Sequence, residues 1–245
     1  MRLLKYFSIF LLLQGCSSNY NWGWDIINPN NLEGLTNLKF LISGITITIY
    51  ISVISIFLAM IIGLLITLPS LSKNKFLNYL NITYVEIIRA IPLLVLILWI
   101  YYGLPIISGI SFSPFVSGII ALTISESAFQ AEIFRAGINS IKKAQWEAGS
   151  SLGLTFFKRL RFVILPQAIK NILPAIGNQF VYVLKMSSLV SIIGIGDLTR
   201  KANELVVTTY RPLEIYTFLI LEYLVLILIV SYFVRKLEKN LEKKN

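Results

Sequence analysis

The chain has 245 residues, of which 56% are hydrophobic and only 14% are charged, and its net charge at pH 7 is +10. A soluble protein of this size needs more polar surface than this composition supplies, whereas lipid-facing helices need little. We therefore expect an integral membrane protein of the all-α class. Because the basic residues lie between long apolar runs, they indicate orientation in a membrane and not nucleic-acid binding.

Two absences in the sequence exclude whole classes of chemistry. The chain contains no histidine, and its single cysteine is Cys16. A serine or cysteine nucleophile paired with histidine is therefore excluded, and so is a zinc site of the usual ligand types. The sequence also lacks a glycine-rich phosphate-binding loop. We expect no catalytic residues, no metal and no cofactor, so that any ATP would be hydrolysed by a partner chain.

The first segment, residues 1–16, resembles a lipoprotein signal peptide. Its short apolar run follows two basic residues and ends at Cys16, and it is too short to cross a bilayer. In this interpretation Cys16 is lipidated and becomes the mature N-terminus; the alternative is an uncleaved extension with a chance cysteine. Residues 17–37 are polar, and Trp22 and Trp24 favour an external segment at the membrane surface.

The membrane domain is predicted to cover residues 38–236 and to consist of five transmembrane helices. Five apolar segments follow one another in it, over residues 42–68, 82–107, 114–135, 172–195 and 213–234. Each segment is long enough to cross the hydrocarbon core as a helix that rises about 1.5 Å per residue. The charged residues 237–245 form a cytoplasmic tail after the last segment.

Lysine and arginine are divided unequally between alternate connections. The connections on one side contain two, seven and five of these residues in chain order, and those on the other side contain none, none and three. Because cytoplasmic connections carry the excess of positive charge, the richer side is predicted to be cytoplasmic. The N-terminus then lies outside and the C-terminus inside, which agrees with a signal peptide that delivers Cys16 to the outer surface.

The most basic connection, residues 136–170, carries the most informative sequence pattern. It contains Gln145-Trp146-Glu147-Ala148-Gly149, then Gly153 four residues later, and ends in Val163-Ile164-Leu165-Pro166. This pattern resembles the Glu-Ala-Ala loop that marks the membrane subunits of ATP-binding-cassette (ABC) importers. Further runs are similar to the polar amino acid permease family of these subunits. They are Arg89-Ala90-Ile91-Pro92-Leu93-Leu94, Ala131-Glu132-Ile133-Phe134-Arg135-Ala136-Gly137, Leu173-Pro174-Ala175-Ile176-Gly177-Asn178-Gln179 and Ser187-Ser188-Leu189-Val190-Ser191-Ile192-Ile193-Gly194.

The resemblance implies the five-helix permease fold of type I ABC importers and a place in the bacterial plasma (inner) membrane. A coupling helix over residues 140–152 would dock in a cleft of the ATPase, with Gly153 in left-handed conformation at its end. Its small residues would let the partner approach closely. The coupling residues assigned in this way are Trp146, Glu147, Ala148, Gly149 and Gly153. The alternative is a solvated loop in which the Glu-Ala pair is accidental.

Ionisable side chains inside apolar segments are costly unless they face a cavity or a partner. For Glu126, Lys185 and Glu222 we favour a water-lined pathway over purely structural ion pairs. A free amino acid carries both a carboxylate and an ammonium group, which such charged side chains could bind. The predicted pathway residues are Arg89, Glu126, Gln179, Lys185 and Glu222. No role is assigned to Glu222 by the resemblance.

Two ion pairs are the competing interpretation of charges near the cytoplasmic ends of the second and third segments. Glu86 and Arg89 are one helical turn apart, and Glu132 and Arg135 have the same spacing. Each pair could neutralise itself and do nothing more.

The predicted function is therefore that of a permease subunit of an ABC importer for a polar amino acid, without enzymatic activity of its own. The expected partners are two cytoplasmic ATPase subunits, an extracytoplasmic solute-binding protein, a second permease subunit (a copy of this chain or a paralogue) and membrane lipid. An ion-coupled secondary transporter that uses Glu126 and Glu222 is the alternative. An intramembrane enzyme, limited to Ser-Lys or carboxylate chemistry, comes third.

Overall fold

A computed structural model describes residues 20–71 and 74–242, and these ranges are helical apart from short connections. The main helices in them are α1 (Leu32–Ser70), α2 (Lys75–Ala90), α3 (Leu93–Ser108), α4 (Pro114–Asn139), α5 (Lys143–Ser151), α6 (Phe156–Ile193), α7 (Leu198–Thr209) and α8 (Pro212–Glu242). The all-α fold class is confirmed. Cys16 and the rest of the predicted signal peptide lie outside the described residues, so that its lipidation stays a prediction.

Three of the described helices, α1, α6 and α8, are long and apolar enough to cross a membrane. α2 and α3 meet the same conditions only as a pair, and the pair is bent by 92°. The remaining predicted segment forms α4, whose 26 residues would extend about 39 Å. Polar side chains interrupt its apolar sequence, and most of them are buried inside the protein. The number of five spans stays a prediction.

The chain bends between α2 and α3, inside the apolar segment predicted over residues 82–107. Pro92 has no N–H to continue the helix, and its ring disfavours helical dihedrals at the preceding residue. Ile91 accordingly adopts φ −84° and ψ 121°, an extended conformation, and the chain turns there. α2 is therefore a separate helix, and its buried Asn81 and Val85 face α1 and α4.

α1 and α4 pack closely because small residues line their contact. A Cβ atom on Gly63 would lie only 2.9 Å from the backbone nitrogen of Ala131. The Thr67 hydroxyl donates to the Ala131 carbonyl over 3.0 Å, and the Thr123 hydroxyl donates to the Ser55 carbonyl over 3.4 Å. Residue numbers rise together along the two helices at these contacts. α1 and α4 therefore run in the same direction.

α6 runs in the direction opposite to α4. Gln179 of α6 contacts Glu126 in the middle of α4, whereas Asn171, about two turns earlier, contacts Ser140 just after the end of α4. The hydrogen-bond distances are 2.6 Å and 2.8 Å. Since α1 is parallel to α4, α6 also runs opposite to α1.

α8 lies along α6 and reverses direction again. Leu184 of α6 packs against Leu226 of α8, and Gly177, nearer the start of α6, lies against Val234, nearer the end of α8. A Cβ atom on Gly177 would approach a Val234 methyl group to 2.6 Å. The absence of a side chain at Gly177 is therefore what brings these two helices together.

Helix boundaries differ from the sequence prediction at three places. α1 begins inside the segment that was predicted to be an external loop, because the Asn31 side chain accepts a 2.5 Å hydrogen bond from the Gly34 N–H and caps the helix. α6 begins at Phe156, inside the predicted loop 136–170. α8 continues to Glu242 and includes much of the predicted tail.

Candidate functional site

A hydrogen bond to a fully buried carboxylate joins α4 to α6. Glu126 has no exposed surface, and its carboxylate accepts a 2.6 Å hydrogen bond from the amide nitrogen of Gln179. The second carboxylate oxygen is buried and has no partner among the described residues. One turn further along α4, both amide atoms of the fully buried Gln130 are likewise unpaired in the described structure. Unpaired polar atoms inside a protein are costly, so this region is either hydrated or functional.

Arg89 does not pair with Glu86, which corrects one predicted alternative. Its guanidinium lies 2.5 Å from the carboxylate of Glu132, and that carboxylate is also 3.5 Å from Arg135. The predicted pair of Glu132 and Arg135 is therefore present, but as part of a three-membered group. All three side chains are between about a third and a half exposed, so that the ion pairs contribute little to stability.

Two aromatic rings lie beside this ionic group, and each is one helical turn after a residue of the Glu126–Gln179 contact. The Arg89 guanidinium lies 5.1 Å from the ring centroid of Phe129, and that ring is 6.3 Å from the ring of Tyr182. Phe129 is one turn after Glu126 on α4, and Tyr182 is one turn after Gln179 on α6. We call this group of side chains the polar strip, although Glu126 within it is buried; it consists of Arg89, Glu126, Phe129, Gln179, Tyr182 and Glu132.

The structure brings some of the predicted pathway residues together and leaves others apart. Lys185 follows Tyr182 by one turn on α6, is exposed, and has no ion-pair partner in the described ranges. Glu222 lies on α8, outside the polar strip. It is 8% exposed, and neither carboxylate oxygen has a hydrogen-bond partner among the described residues. Glu222 therefore does not form a common site with Arg89, Glu126 or Gln179.

The helix in the basic connection has the local geometry that the sequence predicts. α5 covers Lys143–Ser151, and Gly153 has φ +70°. The Gly153 N–H donates to the Ser150 carbonyl and the Leu154 N–H donates to the Gly149 carbonyl, over 2.9 Å and 3.1 Å. This pair of hydrogen bonds ends a helix with a left-handed residue, for which glycine is best suited.

The two faces of α5 are not used as the sequence suggested. Trp146 faces the body of the protein, where its ring is stacked on Phe156 at 5.9 Å. The space beside Gly149 is taken by Arg159 of the same chain, whose Cγ would lie 2.9 Å from an added Cβ. Neither residue is therefore free for a partner. Glu147 and Ala148 are exposed and form the outward face.

Arg159 fixes α5 to the start of α6, a contact that sequence analysis missed. Its guanidinium donates to the Ser150 hydroxyl and, over 3.4 Å, to the Trp146 carbonyl. Helices α5 and α6 are thereby joined at a second point besides the Trp146–Phe156 stack. A displacement of α5 would accordingly be passed to α6.

Sequence analysis also missed α7, in the connection between α6 and α8. Asp197 caps it by accepting hydrogen bonds of 3.0 Å and 3.3 Å from the N–H groups of Arg200 and Thr199. Burial raises the pKa of the Asp197 carboxyl to about 6, although those hydrogen bonds act in the lowering direction. The cap residue, followed by apolar residues at helical spacing, is the signal that could have predicted α7. Gly44 of α1 admits this helix start, because a Cβ there would lie 2.7 Å from the Leu198 nitrogen.

Comparison with known proteins gives one family over most of the chain. The family described as "Binding-protein-dependent transport system inner membrane component" matches residues 55–243. The glutamine transport system permease protein of Escherichia coli K12 is 34% identical over 206 residues, which are 84% of this chain and 94% of that protein. The arginine transport system permease protein of Bacillus subtilis is 34% identical over 211 residues, which are 86% and 96% of the two chains.

The fold agrees with the sequence matches. A crystal structure of an amino acid ABC transporter with histidines superposes with a TM-score of 0.81 at 38% sequence identity. The alignment covers 90% of this chain and 100% of that chain. The similarity therefore includes the polar strip, α5 and α7, and is not confined to one motif.

Proposed function

The chain belongs to the family of binding-protein-dependent transport system inner membrane components, and from this premise we propose that it forms, with a second permease subunit, the pathway by which a polar amino acid enters the cell. The match over residues 55–243 carries the proposal. Energy would come from ATP bound by separate subunits, since the chain has no phosphate-binding loop of its own.

The topology in this proposal has five crossings, with the N-terminus outside. Support comes from the helix directions, because α1 and α4 are parallel and α6 and α8 alternate after them. A return crossing is needed between α1 and α4, and α3 supplies it. The basic residues of the connections then lie in the cytoplasm. α4 can be less apolar than the others because α1, α2 and α6 surround it.

The polar strip is proposed to face the translocation pathway between two permease subunits. Arg89 and Tyr182 expose part of their surface, as Lys185 does, although they lie in a predominantly apolar protein. Exposed charge at membrane depth is favourable only beside water or a partner. A guanidinium or ammonium group could donate hydrogen bonds to the carboxylate of an amino acid. Glu126 could accept hydrogen bonds from its ammonium group after a local movement.

The proposal names the transported solute only as a polar amino acid. Relatives named for glutamine and for arginine are both 34% identical to this chain. Permeases named for different amino acids can therefore be equally similar in sequence to this chain. Selection by a separate solute-binding protein outside the membrane would account for this.

Coupling to the ATPase is proposed to use the outward face of α5. Glu147 is 65% exposed, and among the described residues its ion-pair partner is Lys143, 3.7 Å away on the same helix. Ala148 beside it is small and exposed. In this proposal Trp146, Gly149 and Gly153 support the helix from behind, with Trp146 and Arg159 passing its movement to α6. Two ATPase subunits would then serve a pair of permease subunits.

The proposal is tested by copurification and by the energy source of uptake. The full chain, expressed with its neighbouring genes and solubilised in mild detergent, should copurify with an ATPase. Reconstituted vesicles should take up a radiolabelled polar amino acid only when ATP and the binding protein are supplied. Uptake that follows a proton gradient without ATP would reject the proposal in favour of secondary transport, for which no contact in the described structure gives specific support.

A further inference from the structure

A cavity of about 550 Å³ lies at the predicted cytoplasmic surface, on the side of α5 that faces the protein. It is bordered by the end of α1, the start of α2, the end of α4 and the start of α5, and it is partly open to the outside. The polar and aromatic residues around it are Ser70, Asn78, Arg135, Asn139, Lys143 and Trp146. None of the predicted pathway residues lines it, and the outward face of α5 does not line it either.

The cavity is suited to an anion. Arg135 and Lys143 supply two positive charges, and no carboxylate is among the described residues that line it. Glu132 and Glu147 are 3.5 Å and 3.7 Å from these cations but lie outside the lining. Both contacts are exposed ion pairs, which are weak enough to be rearranged when a ligand binds. The described lining therefore offers two cationic donors to an anion once these ion pairs open.

The hydrogen-bond donors around the cavity are better suited to the oxygens of a phosphate group than to a halide ion. A guanidinium can donate two parallel hydrogen bonds to phosphate, and an ammonium group acts as a point charge beside it. The side chains of Asn78 and Asn139 add neutral donors on two different elements, whereas the Ser70 hydroxyl donates to the Thr67 carbonyl over 2.7 Å. The nine-residue α5 also directs the positive end of its dipole toward its first residue, Lys143.

The size of the cavity indicates more than a bare phosphate ion. Small-molecule sites usually have volumes of roughly 300 to 1,000 Å³, and this cavity lies within that range. Its remaining walls are apolar and come from Leu71, Ile141 and Trp146. We propose that the cavity binds a phosphate ester anion, either the head group of an anionic phospholipid or a free phosphate ester of the cytoplasm.

Occupation of this cavity would hold α5 against α1, α2 and α4. If α5 couples the subunit to an ATPase, which rests on the function proposed above, the anion would adjust how freely the coupling helix moves. The binding itself does not depend on that function. It can therefore be measured on the permease alone, and its failure would leave the transport proposal untouched.

The test uses native mass spectrometry of the full chain released from nanodiscs of phosphatidylcholine that contain phosphatidylglycerol in a minor fraction. Wild-type protein should retain phosphatidylglycerol in preference to phosphatidylcholine. The double substitution Arg135→Gln with Lys143→Gln should reduce that retention about tenfold or more, as expected when two charged donors are lost. The matched control, Lys158→Gln with Arg161→Gln, removes two exposed cations of the same basic connection that do not line the cavity.

Competition distinguishes the two sources of the ligand. If glycerol 3-phosphate displaces phosphatidylglycerol from wild-type protein, a free phosphate ester can occupy the site; if it does not, the site is specific for the lipid. Both results support binding of a phosphate ester. Equal retention of the two lipids would overturn the proposal, and so would equal losses in the double variant and its control. Unchanged melting temperatures of both variants show that neither result comes from misfolding.

Discussion

The amide nitrogen of Gln179 donates a 2.6 Å hydrogen bond to one carboxylate oxygen of Glu126, and the other oxygen has no partner among the described residues. This contact connects the middle of α4 to α6 between helices that run in opposite directions. The two carboxylate oxygens of Glu126 therefore differ in what they contact. The paired oxygen holds the helices together, and the unpaired oxygen, which is buried, could reach water or a solute only after a local movement.

We expect Gln179→Leu to lower the stability of the protein by about 1 to 3 kcal/mol, because it leaves a buried carboxylate without its donor. Thermal unfolding of the purified protein in detergent measures this change. Asn178→Leu is the matched control, since the neighbouring Asn178 is exposed and makes only a 3.3 Å hydrogen bond to Glu238. Equal effects of the two substitutions would contradict a specific role of the Glu126 contact.

The charge of Glu126 can be tested apart from its hydrogen bond. Glu126→Gln keeps an acceptor for Gln179 and removes the negative charge, so we expect nearly unchanged stability but at least about tenfold slower uptake. The measurement is ATP-dependent amino acid uptake into proteoliposomes with the partner subunits present. If uptake and solute-stimulated ATP hydrolysis both stay at wild-type levels, Glu126 has no place in the pathway.

Gly63 should not tolerate even a methyl group. Its added Cβ would lie 2.9 Å from the backbone nitrogen of Ala131, which cannot move without shifting α4. Gly63→Ala is therefore expected to destabilise the protein by about 1 to 3 kcal/mol. Gly196→Ala is the control, because its added Cβ would meet only the end of the Lys201 side chain at 3.6 Å. A stable Gly63→Ala protein would mean that α1 and α4 can separate at little cost.

Structural features that are determined by neighbouring residues could be predicted from the sequence. The apolar segments, the short helix α5 and its end at Gly153 follow from neighbouring residues alone and are present in the structure, although α5 begins at Lys143 and not at residue 140. The bend at Ile91 has a local signal as well, because Pro92 is compatible with a broken helix. α7 was not predicted, because the charges of its connection were interpreted only as topology signals and the cap at Asp197 was not considered.

The partners of individual charges could not be predicted in the same way. Arg89 has Glu86 one turn away on its own helix, yet its side chain contacts Glu132 of α4, 43 residues later in the chain. Spacing along one helix identifies candidates for pairing but contains no information about the neighbouring helix. For the same reason the occupation of the space beside Gly149 by Arg159 was not predictable.

Asp197 should contribute differently to stability at different pH values. Its pKa is raised to about 6 by burial, so the folded state binds its proton more tightly than the unfolded state does. The resulting stabilisation is complete below a pH of about 4 and is lost as the pH rises through about 6. Asp197→Asn keeps the cap of α7 and removes the titration. The melting temperature of the wild type relative to this variant should therefore fall between those pH values, and a constant difference would contradict the assignment.

The outward face of α5 gives the most direct test of coupling. Glu147→Arg reverses the charge of a 65% exposed side chain whose only ion pair in the described structure is with Lys143, so insertion and folding should be unaffected. If α5 docks on an ATPase, ATP hydrolysis by the reconstituted complex should continue while uptake falls at least about tenfold. Lys158→Glu is the control, because it reverses an exposed charge of the same connection outside α5. Coupled transport by the Glu147 variant at the wild-type ratio of solute to ATP would show that this face of α5 does not transmit the energy of ATP.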